Sequence, residues 1–218
     1  MAGEKAAMTF TDPPYNALKS WNKDEAHSEC RLDPSKWFEN DNMEWDDFWG
    51  FAALFFGAMQ GHSVYCCCDY RIYDGLLKAC KGAGLKPKHC IVWNKNVWGL
   101  GKRYRFKHEF IIYACRTNDA PFYGGRDEAD VWDVAVNRTP DHNTPKPIGL
   151  PTIAIRHSSR LDEIVFDGFC GSGTTMVACE NLGRKCRAIE IAPGYCAVIL
   201  ERMATAFPGI EIELDGHQ

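Results

Sequence analysis

Residues 164–195 read IVFDGFCGSGTTMVACENLGRKCRAIEIAPGY. A short apolar strand, Ile164–Phe166, runs into Asp167 and a glycine loop. A helix follows over 174–182, then a strand over 186–191 that ends in the region of Glu190. No other stretch constrains the fold as strongly. Two strands joined through a helix lie parallel in one sheet, and a parallel sheet needs helices on its faces. Gly171 and Gly173 let the backbone approach a ligand closely, and Thr174 and Thr175 open a helix whose N-terminal N–H groups favour negative charge. Glu190 lies about twenty residues beyond Asp167, where a carboxylate can accept from ribose hydroxyls. These placements agree with one another and indicate a nucleoside-ligand site. The dinucleotide fingerprint needs a third glycine where this chain has Met176, which disfavours a dinucleotide and leaves the nucleotide type open.

The rest of the chain extends the pattern. Strands are expected at 7–11, 63–69, 89–94 and 108–115, and helices at 45–59, 70–82, 147–158 and 194–206. A polar, Trp-containing segment fills the gap to about residue 46, and 117–145, rich in Asp, Asn, Gly and Pro, reads as connection. Alternating strands and helices give an α/β layered, mostly parallel sheet. The longest uncharged run, Phe48 to Cys68, is broken by glycines and polar residues and reads as helix, turn and strand, with no membrane span. No secretory signal opens the chain. The eleven cysteines form no C-x-x-C pair, which argues against a zinc ribbon or a disulfide framework and for reduced, buried thiols in the cytoplasm.

Near the start stands TFTDPPYN. Consecutive prolines fix two φ angles, remove two backbone donors and push the preceding residues towards extended geometry. The strand therefore stops at Asp12 on a stiff, donor-poor edge. That edge carries the Asp12 carboxylate, the Pro13 carbonyl, Pro14 and the aromatic face of Tyr15. A rigid turn is the plain alternative.

Charge is unevenly distributed. Residues 1–74 hold 13 acidic and 6 basic residues, whereas 75–108 hold nine Lys/Arg and no Asp or Glu. Interleaved with Trp93, Trp98, Tyr104 and Phe106, this block suits either a polyanion surface or a solvated face. Lys102, Arg103 and Arg105 are its candidate polyanion contacts.

Taken together, D-P-P-Y at 12–15, H-N-T-P-K-P at 142–147 and D-x-F-x-G-S-G-T-T at 167–175 resemble the β-class of S-adenosylmethionine-dependent DNA amino-methyltransferases. The likeness covers nearly the whole chain. It implies a circularly permuted Rossmann-like methyltransferase fold, with an antiparallel edge strand and helices on both faces. It also implies one domain, 1–218, with a catalytic half (1–116), a short target-recognition connection (117–141) and a cofactor-binding half (142–218).

By that resemblance, Asp167, Phe169, Gly171, Ser172, Gly173, Thr174, Thr175 and Glu190 hold S-adenosylmethionine, and Thr144 and Lys146 lie against its amino-acid end. Asp12 and the Pro13 carbonyl take the two hydrogens of a target amine, and Tyr15 stacks on a base taken out of the duplex. Positioning and electrostatics carry the catalysis. No Pro-Cys dipeptide suggests ring-carbon methylation.

The expected activity is adenine-N6 methylation of DNA in a bacterial or phage-encoded cytoplasmic enzyme, with a homodimer left open. N4-cytosine methylation is the main alternative. RNA or protein-amide methylation and a non-catalytic binding module are further ones. Only eleven residues precede Asp12, and the lead-in also resembles the methyltransferase half of longer phage-associated proteins with a ParB-like domain. A minimal member or a part of a longer protein is therefore expected.

Overall fold

A computed structural model describes residues 3–16, 42–99, 103–136 and 146–213. Seven strands form one sheet: β1 (Met8–Thr11), β2 (Ser63–Cys68), β3 (Lys86–Asn94), β4 (His108–Cys115), β5 (Val131–Asp133), β6 (Ile164–Asp167) and β7 (Lys185–Ala188). The five described helices are α1 (Trp45–Ala58), α2 (Tyr73–Gly82), α3 (Gly149–Ser158), α4 (Thr174–Asn181) and α5 (Pro193–Ala206). The strand order is β5-β3-β4-β2-β1-β6-β7. Only β4 runs antiparallel to its neighbours, β2 and β3.

The central strands are apolar on both faces because helices cover both. In β2 every residue is buried. Val64, Cys66 and Cys68 meet α1 and α2, while Tyr65 and Cys67 meet the side covered by α3 and α4. The three consecutive cysteines therefore serve as small apolar fillers of a doubly covered strand, and burial pushes their thiols up, away from reactive thiolate. On α1 the buried residues Phe48, Ala52, Phe55 and Phe56 recur at helical spacing, and Asp46 and Asp47 in the first turn complement the helix dipole. Each large side chain buried this fully contributes roughly 1.5–3 kcal/mol. No described helix is long and apolar enough to cross a membrane.

Three details differ from the sequence expectation. The antiparallel strand is not at an edge, because β3 and β5 lie outside it. Strand β5 comes from the stretch read as connection: Val92 pairs with Val131 and Asn94 with Asp133, and Trp132 is buried against the core. Strand β7 stops at Ala188, so Glu190 stands beyond the strand. There the Ile189 carbonyl accepts from the Cys170 N–H at 3.0 Å and so joins the glycine loop.

Candidate active site

Strands β1 and β6 are parallel neighbours, and the chain leaves them in opposite directions, β1 towards β2 and β6 towards β7. A crevice for ligands opens at such a switch point, beyond the carboxyl ends of the strands. Residues 12–15 follow β1 and the glycine loop follows β6, so both constellations reach that crevice. A buried carboxylate ties them together. Asp167 Oδ1 accepts from Thr11 Oγ1 and from the Phe169 N–H, each at 3.0 Å, and Oδ2 accepts from Thr175 Oγ1 at 2.6 Å. Burial pushes the Asp167 carboxyl up to about 6, against the lowering effect of those three donors.

The glycine loop turns through the left-handed region twice, with φ +52 at Gly171 and +80 at Gly173. Glycine adopts these angles without the Cβ penalty. Glu190 spans the loop. Its Oε2 accepts from the Gly171 N–H at 2.7 Å and its Oε1 from the Ala192 N–H at 2.8 Å, which leaves each oxygen a further acceptor site. Exposed Ile189 and Ile191 flank it. Phe169 packs edge-on against Phe51 and Phe55, 5.7 Å from each ring, so its side chain anchors the loop on α1. From α5, Arg202 Nη1 donates to the Ser172 carbonyl, Ser172 Oγ and Thr174 Oγ1 at 3.0–3.1 Å.

Across the crevice, Asp12 belongs to a chain of alternating charges. Lys146 Nζ lies 3.1 Å from Asp12 Oδ2 and 3.1 Å from Glu109 Oε2, and Lys95 Nζ lies 3.1 Å from Glu109 Oε1. The Tyr15 hydroxyl donates to Asp12 Oδ1 at 2.6 Å and lies 3.4 Å from Glu109 Oε2. Lys146 also stands 4.9 Å over the Tyr15 ring and 5.6 Å over that of Trp93. Burial works against the Lys146 charge, but Asp12 and Glu109 more than offset it and hold the ammonium protonated. Burial likewise pushes Glu109 up, and the two lysines overcome it, leaving that carboxyl below its ordinary range. Burial and the neighbouring carboxylates keep the Tyr15 phenol protonated.

Sequence reasoning missed Glu109, Lys95, Trp93 and Arg202. Glu109 carried a signal, as the first acid after the acid-free block 75–108, at the head of an apolar strand. Arg202 sits three residues beyond Ile199 and one before Met203, both buried on α5, so a cation on an apolar stripe marked it. Lys146, expected near the cofactor, is drawn to the Asp12 side by two carboxylates. Thr144 and Lys102 lie outside the described residues.

The hairpin between β3 and β4 projects from the same edge of the sheet, since Asn94 pairs with His108 and both follow the Asp12 end of β2. It exposes Trp98 and Tyr104, the latter 90% accessible, with Arg103, Arg105 and Lys107 beside them. Lys107 Nζ lies 5.4 Å over the Trp98 ring, and Arg105 Nε donates to the Gly99 carbonyl at 2.9 Å. The basic block is thus not one surface. Lys86 pairs with Cys115 at the far end of β3, and Lys78 on α2 is paired with Asp74.

Residues 6–201 match the N6/N4 family described as DNA methylase. The type II methyltransferase M2.LlaDCHI of Lactococcus lactis subsp. cremoris is 27% identical, across 92% of this chain and 82% of its own. The crystal structure of the M1.HpyAVI–SAM complex superposes with a TM-score of 0.66 at 23% identity, covering 91% of this chain and 89% of that one. The cytosine-N4-specific PvuII DNA methyltransferase superposes with a TM-score of 0.67 at 17% identity, covering 95% and 82%. At such identities the superpositions speak for the fold. The family match spans all seven strands and both constellations at the switch point, and by it this chain belongs to the N6/N4 DNA methylases.

Proposed function

We propose that this protein transfers a methyl group from S-adenosylmethionine to the exocyclic N6 amine of adenine in DNA. One observation carries the reading: the Asp12 edge and the glycine loop end adjacent parallel strands and share the buried Asp167 carboxylate through Thr11. S-adenosylmethionine, the methyl donor of this family, supplies an electrophilic methyl on its sulfonium when bound. The site fits that group. The left-handed turns bring backbone close to a ligand, Glu190 keeps acceptor sites for ribose hydroxyls, and Ile189 and Ile191 offer apolar surface beside it. In this reading residues 1–116, 117–141 and 142–218 are the catalytic, target-recognition and cofactor-binding parts of one domain.

The chain's own work is done on the target. An aromatic amine is a poor nucleophile because its lone pair is delocalised into the ring. Asp12 and the Pro13 carbonyl accept its two hydrogens and draw the nitrogen towards tetrahedral geometry, which frees the lone pair. A carboxylate offers about four acceptor sites, of which Tyr15 and Lys146 take two, so Asp12 retains capacity for the amine. The Tyr15 ring is the surface on which a base taken out of the stack would lie. By the resemblance to the β-class amino-methyltransferases, aspartate rather than serine ahead of Pro-Pro-Tyr supports adenine over cytosine.

The test is to incubate the protein with tritiated cofactor and DNA, digest to nucleosides and identify the labelled one. Label in N6-methyladenosine's deoxynucleoside is expected. Label in N4-methylcytosine would move the assignment to the other amine, and no label in any deoxynucleoside would remove DNA as substrate.

The projecting hairpin is the proposed DNA contact, with cations for phosphates and exposed Trp98 and Tyr104 for bases. Replacing Arg103 and Arg105 with alanine should weaken binding to all sequences about equally. It should also lower the log–log salt slope by up to about two, as phosphate contacts do. Fluorescence anisotropy on cognate and scrambled duplexes across a salt series reads this out. An unchanged slope would return the hairpin to an ordinary solvated face.

A further inference from the structure

We propose that Glu109 is a positioning residue for methyl transfer: by sharing the Lys146 ammonium with Asp12, it keeps the Asp12 carboxylate available to the target amine. The inference rests on the reading of Asp12 as the amine acceptor, whichever base carries the amine.

The geometry gives Lys146 two equal anionic partners, both at 3.1 Å, one just after β1 and one on β4, two strands that β2 separates. An ammonium has three donors and no acceptor. Placed between two carboxylates it divides them, so neither carboxylate is saturated. Trp93 and Tyr15 bound the same ammonium with their rings, which limits the directions in which it can move. Lys95 in turn holds the other oxygen of Glu109, so Glu109 is fixed as well as charged. The four side chains Lys95, Glu109, Lys146 and Asp12 balance to zero formal charge, and each is largely withdrawn from water, with 17–31% of the side chain exposed.

Removing the charge of Glu109 leaves Asp12 as the only carboxylate bonded to Lys146 in this network. At low local dielectric the attraction of an unshared pair is stronger than in water. The ammonium then closes on Asp12 and competes with the amine hydrogens for its lone pairs. The loss acts through Lys146, which distinguishes it from a packing defect at Glu109. A residue whose role is only structural costs the same whether Lys146 is present or absent.

A double-mutant cycle tests this: wild type, Glu109→Gln, Lys146→Met and the double variant, with Asp12→Ala as control. Turnover is measured at saturating cofactor and DNA, and cofactor affinity by calorimetry. Melting curves set an assay temperature below the lowest midpoint. Glu109→Gln preserves shape; should it not fold, Glu109→Asp, with its shorter reach to Lys146, takes its place in the same cycle. The expected result is a fall in kcat of about ten- to a hundredfold for Glu109→Gln with cofactor affinity unchanged. In the Lys146→Met background the same substitution should cost less than threefold. This non-additivity is the signature of residues acting as one unit. An equal loss in both backgrounds, or a normal kcat for Glu109→Gln, would overturn the inference. If Asp12→Ala itself turned over normally, the failure would lie with the amine-acceptor reading instead.

Discussion

Asp12→Ala should abolish most methyl transfer while leaving S-adenosylmethionine binding near its wild-type strength. Losing one preorganised acceptor at the reacting group costs on the order of 10²–10³ in rate, by analogy with oxyanion-hole deletions. The substitution also strips Lys146 of one of its two carboxylates and the Tyr15 hydroxyl of its 2.6 Å acceptor. Breaking a buried pair usually destabilises by about 3–5 kcal/mol because the surviving charge is stranded. Here Lys146 keeps Glu109 at 3.1 Å, so the stability loss should fall below that range. The glycine loop is held by Glu190, Arg202 and Asp167, none of which bonds Asp12 directly, so the cofactor side should stand. Single-turnover transfer with saturating cofactor, paired with calorimetric titration of the cofactor, separates the two effects. Near-normal turnover would remove Asp12 from the chemistry.

The parts of the site legible in the sequence are those whose chemistry is local. Two prolines end a strand wherever they occur, so the Asp12 edge could be located from six residues. The glycine loop could be read for the same reason, because Gly171 and Gly173 sit at angles that ordinary side chains resist. Helix α1, with its apolar residues at helical spacing, and β2, as a continuous apolar run, followed directly. What escaped was non-local. Glu109 and Lys95 matter because antiparallel pairing of β3 with β4 carries both to the Asp12 end of the sheet, and spacing along the chain does not announce that pairing. Strand β5 escaped because three residues among aspartates are too few to establish an alternation, and burial of Trp132 between exposed neighbours decides the matter. The basic block misled in a related way. Its charges are contiguous in sequence, yet a nine-residue strand separates Lys86 from the hairpin that carries Arg105. Charge composition gave the sign of the surface without its location.

Gly173→Val should cost S-adenosylmethionine affinity more than a hundredfold, and more than Gly171→Ala. Both glycines have positive φ, so any side chain at either pays for a left-handed backbone, about 1–2 kcal/mol for an L residue and more for a β-branched one. Their surroundings differ. Nothing lies within 4 Å of a Cβ built at Gly171, whereas one at Gly173 would sit 3.1 Å from Ile199 Cγ1 and 3.4 Å from its Cγ2. Overpacking of this kind adds typically 1–3 kcal/mol. It also has a direction. Ile199 is buried on α5, and the same helix carries Arg202, which holds the Ser172 carbonyl and the Thr174 hydroxyl. Valine at 173 therefore pushes on the helix that grips the loop at its other end, and the backbone N–H groups offered to the ligand lose their alignment. Gly171→Ala, with open space around it, carries the backbone cost alone; that cost falls on the fold with or without ligand, so the affinity loss should stay below roughly thirtyfold, the equivalent of ~2 kcal/mol at 1.36 kcal/mol per decade. Calorimetric titration of the cofactor gives both affinities, and melting curves show how much of the strain the fold absorbs without the ligand. Equal losses would mean that backbone conformation alone sets the site and that Ile199 yields freely. Wild-type affinity in Gly173→Val would place the cofactor somewhere other than this loop.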